Sequence, residues 1–160
     1  MKTINLTQGQ VALVDDKDYE ELRRYKWHAV WHEQTHSFYA RRGVWRIGKA
    51  TNVYMHRQIM NAQAGQQIDH ISHDTLDNRH ENLRNCSNSE NQQNARKGIG
   101  KTSIYKGVSW HKNHSKWAVR IKVNGSEYWL GSFADECVAG HAYDLKARAL
   151  FGEFACLNFP

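Results

Sequence analysis

The sequence predicts an α+β chain in three parts: a small β-rich N-terminal region, a core of strand, loop, strand and helix, and a three-stranded antiparallel sheet packed on one helix. Three observations predict this. Residues 116–123 (Lys-Trp-Ala-Val-Arg-Ile-Lys-Val) alternate with period two, and Asn124-Gly125 follows as a tight-turn signal into the next run. Residues 68–94 join a short run ending in Asp69-His70 to a polar loop, a second short run and a polar helical stretch. Residues 1–55 hold several short alternating runs separated by polar turns.

In the N-terminal region, Ile4 and Leu6 alternate before Thr7-Gln8-Gly9-Gln10, and Val11 and Leu13 alternate after it, which predicts a hairpin. Asp15 or Asp16 caps a short helix over 18–25. Strands follow over 27–31 and 38–42, joined by a polar turn at 33–36, and another lies around 51–55. Tyr19, Leu22, Trp27 and Tyr39 are core candidates. Residues 55–60 form a short helix that packs Ile59 and Met60 beneath the core, with His56 a structural residue at its start. Arg41, Arg42, Arg46 and Lys49 divide evenly between solvent and the backbone of a nucleic acid.

In the core, residues 67–71 put Ile68 and His70 on one strand face, and 82–86 return with Leu83 as the apolar anchor. Ser87 or Asn88 caps the helix, and Glu90 suits its positive N-terminal end. The helix then lies across the hairpin, so that Asn91 can face Asp69. Asp69 and the side-chain oxygen of Asn91 are hard donors suited to Mg²⁺ or Mn²⁺. His70 titrates close to working pH and can take a proton from water. An isolated Asp-His pair is ordinarily a turn or a surface pair; three segments in register change that reading. An EF-hand is excluded, because its glycine and its closing Glu spacing are absent. His73 and His80 read as loop residues near phosphate rather than ligands, and Arg79 and Arg84 either clamp phosphates or face solvent or a local carboxylate.

Composition narrows the function classes. The chain has 160 residues, 24% of them charged, and no apolar run of membrane length. Residues 1–5 lack the apolar core of a signal peptide, so a cytoplasmic protein, of a bacterial host or phage-encoded, is expected. Net charge is +6, and no Asp or Glu stands between Glu90 and Glu127, an interval carrying Arg96, Lys97, Lys101, Lys106, Lys112, Lys116, Arg120 and Lys122. Such a one-signed interval fits an acidic polymer. Cys86, Cys137 and Cys156 offer neither a Cys-x-x-Cys zinc knuckle nor a disulfide framework, and read as small core residues.

Residues 98–104 are a glycine-containing basic linker, which divides the chain into 1–50, 51–97, 98–104 and 105–160. In the last segment Trp117, Val119, Ile121 and Val123 face the core, and Lys116, Ala118, Arg120 and Lys122 face outward. In the next strand Tyr128 and Leu130 alternate with Glu127 and Trp129. Asp135 caps a helix that Gly152 ends, and Ala139, Ala142 and Tyr143 form its sheet-facing stripe.

Asp69-His70, Asn82-Leu83-Arg84 and Glu90-Asn91 resemble, in order and spacing, the H-N-H endonuclease family, above all its phage homing-endonuclease branch. The resemblance implies a ββα-metal nuclease core in which His70 is the general base, Asp69 and Asn91 hold one Mg²⁺ or Mn²⁺, and Asn82 fixes the loop and orients His70. Asn91 stands where colicin-type members often have His, so a ligand set built on two imidazoles is not expected. The N-terminal region resembles the β-rich lead of many phage H-N-H proteins. Tyr105-Lys106-Gly107-Val108, Lys116-Trp117-Ala118, residues 129–133, Ala142-Tyr143-Asp144 and Leu157-Asn158-Phe159-Pro160 resemble the plant APETALA-two/ethylene-response-factor DNA-binding domain. Its contact positions fall on Lys106, Ser109, His111, Arg120, Lys122, Glu127 and Trp129, and Ser109, His111 and Glu127 occupy places where plant members often carry Arg. The expected function is therefore a metal-dependent endonuclease acting on double-stranded DNA, leaving 5′-phosphate and 3′-hydroxyl ends, as a monomer or homodimer, with no membrane partner. The alternative is a non-catalytic sequence-specific DNA-binding protein that retains a relic nuclease fold.

Overall fold

The computed structural model describes residues 1–98 and 102–160, and the backbone alone for Arg46. Residues 99–101 of the expected linker, with Lys101, lie outside the described residues. The chain is mixed α and β and divides into two compact units, Met1–Ser87 and Asn88–Pro160.

The first unit opens with the hairpin β1 (Lys2–Asn5) and β2 (Val11–Val14), whose turn uses positive φ at Gln8 and Gly9. The hairpin that the sequence predicts is present, and its register decides which side chains are buried. Ile4 pairs with Ala12 and Lys2 with Val14, so Ala12 and Val14 are buried while Val11 is exposed and Leu13 half-buried. The tight turn closes Leu6 onto Gln10 and so sets the register one residue away from the larger side chains. The edge of β2 is used instead: Leu13 N–H donates to the Leu76 carbonyl (2.9 Å), and its carbonyl accepts from Asn78 N–H (2.9 Å).

Helix α1 (Asp16–Leu22) follows, shorter than expected; the Trp27 indole donates to the Leu22 carbonyl at its C-terminal end (2.9 Å). Strands β3 (His28–His32), β4 (Ser37–Arg46) and β5 (Lys49–Tyr54) form a sheet in that order, and α2 (Met55–Ile59) leads away from it. Ile4, Ala12, Val14, Leu22, Trp27, Ala40 and Met55 make the core, with Tyr19, Ile59 and Leu76 packed against it. Tyr39, expected in this core, is instead half-buried among ring side chains. The antiparallel pair β6 (Gln67–His70) and β7 (Leu83–Cys86) completes the unit, with Asp69 opposite Arg84 and His70 opposite Leu83.

The second unit begins with α3 (Asn88–Asn94), which the sequence grouped with the preceding core. Its C-terminal end is tied locally: Lys106 Nζ donates to the Gln93 and Ala95 carbonyls (2.6 Å each), and Cys156 N–H donates to Gln93 (3.4 Å). Strands β8 (Val108–His111), β9 (Lys116–Val123) and β10 (Ser126–Phe133) form the sheet with β9 central, and α4 (Glu136–Phe151) covers one face. Val108, Val119, Ile121, Ala139, Tyr143, Ala147 and Phe151 are its core. Asp135 caps α4 by accepting from Val138 N–H (2.8 Å). The buried Asp144 carboxylate on α4 accepts from the backbone N–H groups of Asn158 and Phe159, clamping the tail.

Alternation misplaces two side chains, and the cysteines depart from their expected place as well. Ala118, on the outward face of the central strand between Ser109 and Ser132, is buried. Tyr128, on an edge strand whose register shifts between Trp129 and Gly131, is exposed. Cys137 is exposed, and Cys86 and Cys156 are half-buried, so none is the buried core thiol expected. Among the described residues, no helix is long and apolar enough to cross a membrane.

Candidate functional site

β6 ends on the Asp69-His70 pair, and both side chains are buried (7% and 5% exposed). Arg84, directly across on β7, donates from Nε (2.9 Å) and Nη2 (2.7 Å), and both bonds fall on Oδ2 of Asp69. Of the two uses read for Arg84, the structure shows the local carboxylate. Arg79 does the same, holding Asp77 through Nε (2.8 Å) and Nη2 (2.6 Å) and reaching Glu81 as well. That contact keeps the Asp77 carboxyl below the usual carboxylate range.

The loop between the two strands is locked by Asn82. Its Oδ1 accepts from Ser72 N–H (2.8 Å), its Nδ2 donates to the Asp77 (2.8 Å) and Asp74 (3.2 Å) carbonyls, and its own carbonyl accepts from Ile71 N–H (2.9 Å). The loop is also fixed from outside: Thr75 Oγ1 donates to Phe38, and His80 N–H donates to Asp15 Oδ2 (2.8 Å). A buried asparagine that satisfies this many backbone groups holds a loop shape that the backbone alone would not keep.

His70 lies against Tyr39 and His56, ring centroids 6.0 and 5.0 Å away, and His56 stacks on Tyr54. Tyr54 in turn hydrogen-bonds His32 (3.1 Å). Burial lowers the His70 pKa, opposed by the nearby Asn78 side chain and by the carboxylates of Asp69, Asp74 and Asp77. The imidazole is thus neutral at neutral pH, the form able to accept a proton. Asn78 is fully buried, its backbone tied to Leu13 and its Nδ2 to the Leu76 carbonyl (3.0 Å). Sequence reading missed it, because one Asn in a loop of Asn and Asp carries no periodicity to mark it as interior.

The rings of His56 and His70 also make stability pH-dependent. Burial pushes His56 down to about 3, with the nearby His70, Arg57 and His32 adding to the fall. A histidine with a lowered folded-state pKa binds its proton mainly when unfolded. Stability is therefore full above the unfolded value near 6.5 and falls as pH drops below it, by about 1.4 kcal/mol per pH unit for each such ring. Urea unfolding of the chain between pH 7 and 4.5 is expected to show this slope, and His56→Gln to flatten it.

The metal that the fold implies calls for hard oxygen donors. The Asp69 carboxylate is one, and Asn91, in the first turns of α3, carries another. Among the described residues, the one group of three His, Cys, Asp or Glu side chains close enough to share an ion is Asp15, Asp18 and His80. It contains no thiol, so a soft-metal cysteine site is absent there. Oxygen donors of this kind suit a hard divalent cation, and Asp69 lies in the first unit while Asn91 lies in the second.

In the second unit the sheet face away from α4 is basic. Lys116, Arg120 and Lys122 are exposed along β9, with Trp129 exposed opposite Arg120. Arg120 lies over the Trp129 ring (5.6 Å) and near Glu127 (3.4 Å). His111, His114, Lys116, Arg120, Trp129 and Ser132 line a depression of about 440 Å³. The structure thus brings His111, Arg120 and Trp129 together, with Lys122 on the same face. The Lys106 ammonium, by contrast, is turned to carbonyls, and burial lowers its pKa.

Comparison with known proteins bears out the resemblances to the H-N-H endonuclease family and to the plant DNA-binding domain. Residues 53–93, from β5 to α3, match the family model described as HNH endonuclease. Part of the chain is similar to an ethylene-responsive transcription factor of Arabidopsis thaliana, 41% identical over 63 residues, 38% of this chain and 34% of that protein. It is similar to a dehydration-responsive element-binding protein of Oryza sativa subsp. indica, 42% identical over 57 residues, 34% of this chain and 20% of that protein. It is also similar to an AP2/ERF and B3 domain-containing protein of Oryza sativa subsp. japonica, 41% identical over 59 residues, 37% of this chain and 16% of that protein. The chain spans about a third or less of the length of these relatives.

Proposed function

We propose that this chain is a metal-dependent DNA endonuclease of homing type, which hydrolyses phosphodiester bonds of double-stranded DNA to 5′-phosphate and 3′-hydroxyl ends. The observation that carries the reading is the Asp69-His70 pair: a buried carboxylate beside a buried neutral imidazole, at the end of a strand whose following loop is locked by Asn82.

His70 accepts the proton of the attacking water, and the water oxygen bonds to phosphorus as the bond to the 3′ oxygen breaks. Asn78 is buried near the imidazole and favours its protonated form, and Asn82 keeps the loop in shape around it. Arg84 fixes the Asp69 carboxylate through one oxygen. By the family resemblance Asp69 and Asn91 would hold a divalent ion, Mg²⁺ or Mn²⁺, which would supply positive charge to offset the charge that develops on the phosphate. One such centre cuts one strand, so a monomer nicks, and a double-strand break needs a dimer or a second event.

Incubating supercoiled plasmid with the protein in Mg²⁺ and in EDTA tests the reading. Nicking in Mg²⁺ alone, with ends that a ligase reseals, supports it; intact plasmid under both conditions removes it. The second reading, a non-catalytic DNA-binding protein, is favoured by one finding, that the plant relatives are named as transcription factors and element-binding proteins.

In either reading the open sheet face of β8–β10 binds DNA, with Arg120 and Lys122 on phosphate and Trp129 and His111 toward base edges. Arg120→Ala with Lys122→Ala is expected to weaken binding and to lower the slope of log affinity against log salt by about two. Anisotropy titrations across a salt series check this.

A further inference from the structure

The β4–β5 hairpin carries a feature that the nuclease reading leaves unused. β4 pairs with β3 only from Ser37 to Arg41, and beyond that point β4 and β5 pair with each other alone. The outer pairs run from Gly43–Asn52 to Arg46–Lys49, a two-stranded ribbon that extends about 13 Å from the sheet edge at ~3.3 Å per residue. Its root is rigid. Arg42 stacks on Tyr25 (3.8 Å) and bonds the Gln58 side chain (3.0 Å), and Thr51 Oγ1 donates to the Val44 carbonyl (3.2 Å).

The tip is apolar and exposed. Trp45 is 73% exposed, and its cross-strand partner is Ala50, too small to cover an indole. Ile47 is fully exposed at the turn, which it forms with Gly48 at φ values of 47° and 72°. Positive φ at a first turn residue suits Asn or Gly, and a β-branched residue is strained there. A turn selected for stability would carry Asn-Gly, so Ile47 stands at that point against the local preference. Strained backbone of this kind points to function.

Charge identifies the partner. No Asp or Glu lies between Glu33 and Asp69, and the two strands of the ribbon carry Arg41, Arg42, Arg46 and Lys49. Two copies of such a ribbon repel one another, whereas the phosphates of a duplex attract it. Apolar wedges flanked by cations are the means by which proteins part stacked base pairs from the minor groove and kink the duplex.

We propose that the β4–β5 tip is a DNA wedge: Trp45 and Ile47 enter the minor groove of duplex DNA and unstack one base step, with the basic ribbon seated on the flanking phosphates. This rests on the reading of the chain as a DNA-binding protein and adds that it distorts its target. The test uses the full chain in EDTA and duplexes it selects from a random-sequence pool, carrying 2-aminopurine at successive positions. A several-fold rise in 2-aminopurine fluorescence at one step is expected at saturation. It is lost in Trp45→Ala with Ile47→Asn, a variant that relieves the turn and so folds at least as well as the parent. Binding without the rise, or a rise unchanged in the variant, overturns the wedge and leaves the DNA reading standing. A variant that changes oligomeric state and not base stacking overturns it in favour of a contact between copies. Failure to recover any duplex removes the DNA reading, and the wedge with it.

Discussion

Replacing His70 with alanine is expected to reduce plasmid nicking by ~10²–10⁴-fold, the usual contribution of a general base, while DNA affinity stays near that of the parent. The imidazole is buried and neutral, so its removal takes away a proton acceptor and no positive charge facing phosphate. Its loss also leaves a gap beside His56 and Tyr39, so His70→Gln serves as a second variant of similar volume and equally poor basicity. Both variants are expected to bind selected duplexes in anisotropy titrations and to leave supercoiled DNA uncut. Undiminished cleavage by either, at matched metal and protein concentrations, would end the assignment of His70 as the base. Asn82 offers the contrast. Losing its side chain breaks three hydrogen bonds of the loop, so melting temperature should fall together with activity, whereas the His70→Gln defect is expected with little change in melting.

Gly107→Ala is expected to unfold the second unit or to destabilise it by roughly 2–5 kcal/mol, the sum of left-handed strain and overpacking. Gly107 has φ +76°, and a Cβ there would lie 2.0 Å from the Tyr143 ring and 2.8 Å from the Arg120 carbonyl oxygen. Tyr143 is buried on α4, and the Gly107 carbonyl itself accepts from Arg120 N–H (2.9 Å), so neither neighbour can retreat without opening the sheet. Gly125→Ala is the control, since it has φ +84° with nothing within 4 Å and carries only the backbone strain. Guanidinium unfolding followed by tryptophan fluorescence checks both, and a Gly107 variant as stable as the Gly125 variant would contradict the packing described.

Much of the architecture was legible because it is written in period two and in turn chemistry. The alternation of 116–123 and Asn124-Gly125 lead to β9, β10 and their register, and the Asp69-His70 and Leu83-Arg84 pairs do lie opposite each other on adjacent strands. What escaped depends on register and on distant backbone. The inward face of β2 follows from a turn that selects Ala12 and Val14 over larger neighbours, which no hydrophobicity pattern reveals. Asn78 is interior because β2, more than sixty residues away, takes its backbone N–H. The sequence offered Lys106 as a surface cation, and only the fold shows two carbonyls waiting for it.

The loop after β6 is stitched to β2 at Leu13, to β4 through the Phe38 carbonyl and to Asp15 ahead of α1. The stretch that matches the nuclease family is therefore not a cassette that could be excised and grafted elsewhere intact. Transplanting 53–93 alone would strand its donors and acceptors in a new host. Moving the loop intact means moving the hairpin, sheet and helix that hold it, from Met1 onward, together with it.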